Sequence, residues 1–207
     1  MPSREEQEAR IRDLVKGGAV DEAATAGIRA FGGEIFGLIY AIHRDEADAD
    51  EVFSIWCERF WRGLPTFQFR SSFRTWAYTI ARNASRDHLK MERRRERRQT
   101  PLDQFPASAV AEEVRTATRT YLRSAARDRF TELRSTLDAD DQQLLILRVD
   151  RQLAWNELAR VFLANDDEEP GDDAIEREAA RLRKRFQLVK AKLYELGKRE
   201  GLVSKAD

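Results

Sequence analysis

The sequence predicts an all-α protein made of two small helical domains. Ala, Leu, Arg and Glu dominate, while Gly is 10 and Pro only 5 of the 207 residues. Alternating β-branched residues of the kind that mark strands are hard to find. The breakers are few and well separated: Gly17-Gly18, Gly32-Gly33, Gly63-Leu64-Pro65, Pro101 to Pro106 and Glu169-Pro170-Gly171. The length suits one or two domains, and 42% hydrophobic residues with 11 Phe and 4 Trp supply the apolar material for a core. We place the first domain at about 10–97, a linker at 98–129 with some helix after Val110, and the second domain at 130–202.

Charge is informative only locally. Lys+Arg and Asp+Glu each number 37, so the formal net charge is zero. From Asp45 to Glu58 there are six acids and no base, and from Arg70 to Arg98 ten bases and three acids. The alternation recurs, with six acids and no base over 165–173, then nine bases and four acids over 174–200. Two basic helical segments, each preceded by an acidic one, predict two separate surfaces that meet a polyanion.

Several function classes are disfavoured at once. The single Cys57 precludes an internal disulfide and any C-x-x-C metal spacing, and His43 and His88 are too few for a His-rich metal site, so no metal or other cofactor is expected. A phosphate-cradling Gly-rich loop, an H-E-x-x-H motif and a nucleophile elbow are all missing, so the chain does not read as an enzyme and no small-molecule substrate is expected. The first residues form no apolar signal core, and no uncharged apolar run approaches ~18 residues. We therefore expect a cytoplasmic protein with no membrane partner.

The elements follow in order. An acidic helix lies around Asp48 to Glu58, with Cys57 as a small core or boundary residue. Pro65 to Ser72 is a short loop holding Phe67, Gln68, Phe69, Arg70, Ser71 and Ser72. Two aromatics, an amide, a cation and two hydroxyls can stack an unpaired base and bond its edge; either phenylalanine can equally be core. Phe73 to Lys90 reads as a helix capped by Ser71 or Ser72. Phe73, Trp76, Ala77, Ile80 and Ala84 make its apolar stripe, and Thr75, Thr79, Arg82, Asn83, Arg86 and Lys90 a neighbouring polar arc. Such an arc suits phosphates and base edges, and it is also what a solvated face looks like. Arg93 to Arg95, with Arg97 and Arg98, would hold phosphates non-specifically.

In the second domain a helix begins at Asp138 or Asp140 and a shorter one spans Ala154 to Phe162. The acidic segment 163–173 follows, far longer than the 3–4-residue turn of a helix-turn-helix. It can mimic phosphate or bind another protein. Asp172 or Asp173 would then cap a long helix whose apolar stripe is Ile175, Ala179, Leu182, Phe186, Val189, Leu193 and Leu196. Its basic side holds Arg177, Arg181, Arg183, Lys184, Arg185, Gln187 and Lys190.

Asp48-Ala49-Asp50-Glu51-Val52-Phe53, then Leu64-Pro65-Thr66-Phe67, then the run from Ser71 to Asn83 resemble region 2 of the extracytoplasmic-function (ECF) sigma factors of bacterial RNA polymerase. The helices from Leu137 to Arg148 and Ala154 to Phe162 resemble the opening of region 4 in that family. The resemblance implies an initiation specificity factor. Its partners would be core RNA polymerase, through the clamp helices of the largest subunit and the flap, and promoter DNA, both duplex and melted. An anti-sigma factor is a further partner that the family leaves open. Asp48, Asp50, Glu51 and Phe53 would face polymerase. The Phe67–Ser72 loop with Thr75, Thr79, Arg82, Asn83 and Arg86 would take melted −10 bases. Arg181, Arg183, Lys184 and Gln187 would read the −35 element in the major groove, where Arg and Lys read guanine and Gln reads adenine, with Arg185 and Lys190 on phosphate. Two departures stand out: about one extra helical turn between Phe53 and Pro65, and the acidic insertion. A stand-alone helix-turn-helix regulator, or a sigma-like polymerase-interaction protein without promoter activity, would share much of this pattern.

Overall fold

The computed structural model describes residues 2–93, 107–125, 129–163 and 170–202. Among them are nine α-helices and no strand. They divide into two units, Met1–Leu122 and Arg123–Asp207.

The first unit starts earlier than expected, because α1 (Arg4–Lys16) belongs to it. A capping box opens this helix: Ser3 Oγ accepts from the Glu6 N–H at 3.2 Å, and the Glu6 carboxylate accepts from the Ser3 N–H at 2.6 Å. α2 (Val20–His43) is the most apolar of the unit's helices, and α1, α3 (Glu46–Gly63) and α4 (Phe73–Arg93) all pack on it. The start of α3 is fixed by Asp45, whose carboxylate accepts from the Asp48 N–H at 2.9 Å. Phe53, Trp56 and Phe60 share one face of α3 and stack at 5.3 and 5.2 Å; Phe36 of α2 meets Phe53 edge-on at 5.2 Å. The indole N–H of Trp56, deep in this layer, donates to the Ala77 carbonyl at 3.0 Å and so ties α3 to α4. Cys57 is fully buried, and desolvation pushes its thiol pKa up, so it is an inert core residue.

Part of the expected 98–129 linker is helical and belongs to this unit. α5 (Ser108–Ala125) carries Ala111, which is fully buried. A Cβ at Gly32 of α2 would lie 2.9 Å from Val114 Cγ1, so the glycine is what lets α5 approach. The reason the sequence misled is that α5 docks through small residues and arginines, which carry little apolar periodicity. The boundary between units falls at Leu122, inside the expected 98–129 segment and within the helix expected after Val110.

The second unit contains α6 (Arg129–Ser135), α7 (Ala139–Leu145), a π-helical turn (Ile146–Asp150), α8 (Trp155–Leu163) and α9 (Asp172–Arg199). Asp138 is the cap of α7, its carboxylate accepting from the Asp141 N–H at 2.8 Å. Burial opposes ionisation of Asp138, but that N–H and the cations Arg185 and Lys192 outweigh it and hold the carboxyl below its ordinary pKa. Asp172 and Asp173 do not cap α9: Gly171 is the cap residue and the two acids lie in the first turn, where they favour the helix through its dipole. The expected stripe of α9 does face the core. Val189 and Leu193 pack with Leu133, Leu137 and Leu145, flanked by Phe186 and Leu196, while Ile175, Ala179 and Leu182 are buried nearer the start of the helix.

Candidate nucleic-acid interface

The 67–72 loop is held by a ledge of aromatic rings. Phe67 lies 4.6 Å from Phe73 and 4.7 Å from Trp76, ring centre to ring centre, and Phe69 lies 5.2 Å from Phe67. Trp76 can cross the end of α3 only because residue 63 is glycine, since a Cβ there would stand 2.7 Å from Trp76 Cζ2. Phe69 has φ +59°, a left-handed conformation that costs a non-glycine residue on the order of 1 kcal/mol. Its ring is fixed by Phe73 at 5.7 Å and by Lys16 Nζ, 5.7 Å from the ring centre. Both aromatics are half-buried, while Gln68 and Arg70 are exposed. Stacking surface, amide and cation are thus presented together on a strained loop, the kind of place where function is found.

α4 begins immediately after. Ser72 is its cap: its hydroxyl accepts from the Thr75 N–H at 3.0 Å and donates to Thr75 Oγ1 at 2.9 Å. The two preceding N–H groups, of Phe73 and Arg74, donate to the Glu8 carboxylate at 2.8 and 2.9 Å. A carboxylate from α1 therefore sits where the helix dipole favours an anion. Further along, Arg74 Nε meets a Glu34 carboxylate oxygen at 2.8 Å, and the Tyr78 hydroxyl donates to the same oxygen at 2.6 Å.

The polar arc of α4 is largely covered. Thr75, Arg82 and Asn83 are only 2%, 6% and 7% exposed, Thr79 and Arg86 are half-buried, and Lys90 is exposed. The arc is therefore not a simple solvated face. Arg94, Arg95, Arg97 and Arg98 lie outside the described residues.

The acidic face of α3 also differs from expectation. Phe53, expected at the polymerase-facing surface, is fully buried against Trp56 and Phe36 and belongs to the core. Glu51 is half-buried. An Asp48 carboxylate oxygen lies 3.4 Å from His88 Nε2. Asp50 is engaged by α5: Arg119 Nη2 bonds its carboxylate, Arg115 Nε stands 3.8 Å away, and Arg119 Nε is 3.7 Å from Glu46. The sequence carried a signal for this contact, because Glu46 and Asp50 repeat at i,i+4 and so do Arg115 and Arg119.

On α9 the expected −35 residues divide into two groups. Arg185 is turned inward, with Nε 2.5 Å from Asp141 and its Nη atoms 3.2 Å from Asp138 and 3.7 Å from Asp140, so it braces the start of α7. Phosphate binding by Arg185 would break that brace. Arg183 lies 5.7 Å from the Trp155 ring centre, on a ring that Arg148 also covers at 4.8 Å. Arg181 forms a fork with Glu178, both contacts at 2.8 Å, which raises the guanidinium pKa. Lys184 and Gln187 are exposed, and Lys190 is exposed with its ammonium 5.5 Å from the Phe186 ring centre. Leu188, 72% exposed, follows Arg177, Arg181 and Lys184 at helical spacing and adds an apolar spot the sequence reading did not single out. Of the acidic insertion, residues 164–169 lie outside the described residues.

These features define a class: an all-helical protein whose first unit joins an acidic helix to an aromatic loop and a polar helix. Residues 28–95, spanning α2 to α4, match the family model described as sigma-70 region 2. Over that stretch, about a third of the chain, the protein is similar to this domain. No curated protein matches the chain. The region 2 match supports a part in transcription initiation, with core RNA polymerase and promoter DNA as partners. No described helix is long and apolar enough to cross a membrane.

Proposed function

We propose that the chain is a sigma factor of the ECF type, acting on polymerase in the cytoplasm, in which the first unit binds the clamp helices and the −10 element and the second reads the −35 element. The observation that carries this reading is the region 2 match across the α3–loop–α4 segment that presents Phe67, Gln68, Phe69 and Arg70 together. Unstacking a promoter base costs a few kcal/mol, and stacking on an aromatic ledge returns roughly 1–3 kcal/mol per base. Base capture at Asn83 further requires its covered face of α4 to open when DNA arrives. At the second unit, Arg181, Lys184 and Gln187 are the exposed major-groove candidates, and the flap and an anti-sigma factor are proposed protein partners.

The test is run-off transcription with core polymerase and genomic fragments at a stated salt concentration, because phosphate contacts make the outcome salt-dependent. Start sites sharing spaced −35 and −10 motifs are expected. Polymerase binding with no transcripts would favour an interaction protein, and specific duplex binding without polymerase a stand-alone regulator. Asn83→Ala is expected to weaken −10 discrimination by about 1–3 kcal/mol and leave polymerase affinity intact. Unchanged preference at every −10 position in the variant would remove that role. Lys184→Ala is expected to lower −35 dependence by a similar ~1–3 kcal/mol, read as transcription from templates with and without the element.

A further inference from the structure

We propose that His43, Asp48 and His88 form a binding site for one divalent transition-metal ion of the class that prefers imidazole, Zn2+ foremost. His43 ends α2, Asp48 opens α3 and His88 lies toward the end of α4, so three helices meet there. These are the only two histidines of the chain. One ligand atom from each of the three residues lies within 4.8 Å of the other two. His88 Nε2 is 3.4 Å from Asp48 Oδ1, and the two imidazole rings stand 5.2 Å apart, centre to centre, at 82° to one another. Ligands on a tetrahedral Zn2+ at ~2.0–2.1 Å stand roughly 3.3–3.5 Å apart, so small side-chain rotations close the set.

The site holds a polar group that nothing else explains. Both ring nitrogens of His43 are shut off from solvent and make no hydrogen bond, although an imidazole always has a donor and an acceptor, or two donors, to satisfy. A bound ion would take the electron pair of one of them. Burial, then repulsion from His88, lower the His43 pKa to about 4 against the attraction of Asp48 and Asp45, so the ring is in the neutral form that coordinates metal at pH 7. Asp48 supplies negative charge, and its side chain, 22% exposed, leaves one side of the site open to a water as fourth ligand. Two imidazoles with one carboxylate suit Zn2+, Ni2+, Co2+ or Fe2+; Mg2+ and Ca2+ want sets of oxygens. On the polymerase-binding reading the ion would also withdraw Asp48 from the acidic face of α3, but binding of the ion does not depend on that reading.

The experiment is metal binding to the full chain, stripped with chelator and studied without polymerase. One Co2+ per chain is expected, with the visible absorption of a low-coordinate site, displaced by Zn2+. His43→Gln and Asp48→Asn are each expected to weaken Co2+ binding at least tenfold, since losing even an outer partner of a ligand commonly costs about 10–100-fold, with an unchanged helical circular dichroism signal. In the wild-type chain both histidine ring resonances should shift on addition of Zn2+. The absence of stoichiometric Co2+ binding, equal affinity in the folded variants, or unmoved histidine resonances would each overturn the proposal; the last holds whether or not the variants fold.

Discussion

Replacing Glu34 by alanine is expected to destabilise the first unit by about 3–5 kcal/mol, the cost of stripping a buried cation of its counter-charge. The Arg74 side chain is 8% exposed, with its guanidinium 5.3 Å from the Tyr78 ring centre, and Tyr78 is fully buried. Glu34 serves both, accepting from Arg74 Nε and from the Tyr78 hydroxyl. Its removal takes from the buried guanidinium and the phenol the acceptor they share across the α2–α4 contact, directly beneath the start of the helix that carries the −10 candidates. Glu34→Gln, which keeps an acceptor of the same shape, should cost clearly less. Urea unfolding followed by tryptophan fluorescence checks this, since Trp56, Trp61 and Trp76 report on the first unit and only Trp155 on the second. A Glu34→Ala loss under ~1 kcal/mol, the size of an ordinary hydrogen bond, would mean the pair is not energetically coupled.

Reversing Arg115 and Arg119 to glutamate is expected to raise affinity for core polymerase about a hundredfold. In the free chain α5 lies on the acidic face of α3, so a partner that uses Asp50 and Glu46 finds that face occupied. A partner that binds only the open state has its affinity reduced by the fraction of chains that are open. Placing like charges opposite one another costs several kcal/mol, and each ~1.4 kcal/mol taken from the closed state is worth a factor of ten until the open state dominates. The neutral pair Arg115→Gln and Arg119→Gln should act in the same direction but less strongly, which separates release of α5 from simple gain of acidic charge. Unchanged or weaker polymerase binding in both double variants, with helix content retained, would show that α5 does not guard this face.

The helices were legible because their signals are local. Ser72 as cap of α4, Asp138 as cap of α7 and the α9 stripe from Ile175 to Leu196 each depend on residues within a few turns of one another. The aromatic loop was legible for the same reason, its residues being consecutive. Legibility failed where one residue had to be placed against another far along the chain. Phe53 looked like part of an exposed acidic helix, yet its heptad neighbours Trp56 and Phe60 carry it into the core. Arg185 looked like one more cation on a basic face, yet three acids at the start of α7 hold it.

By itself, then, the sequence determined the all-α class, the approximate limits of α4 and α8 and the start of α9, the alternation of acidic and basic segments, and the region 2 pattern, all set by spacing along a helix or by adjacency. Only the tertiary structure decided which charges remain available. Packing brought Arg115 and Arg119 onto Asp50, Glu8 onto the start of α4, and His43, Asp48 and His88 together from three helices. The physical reason is range: hydrophobic periodicity and capping act within a few residues, whereas ion pairing and metal ligation depend on distance in space, which the chain fixes only after its apolar faces have been buried.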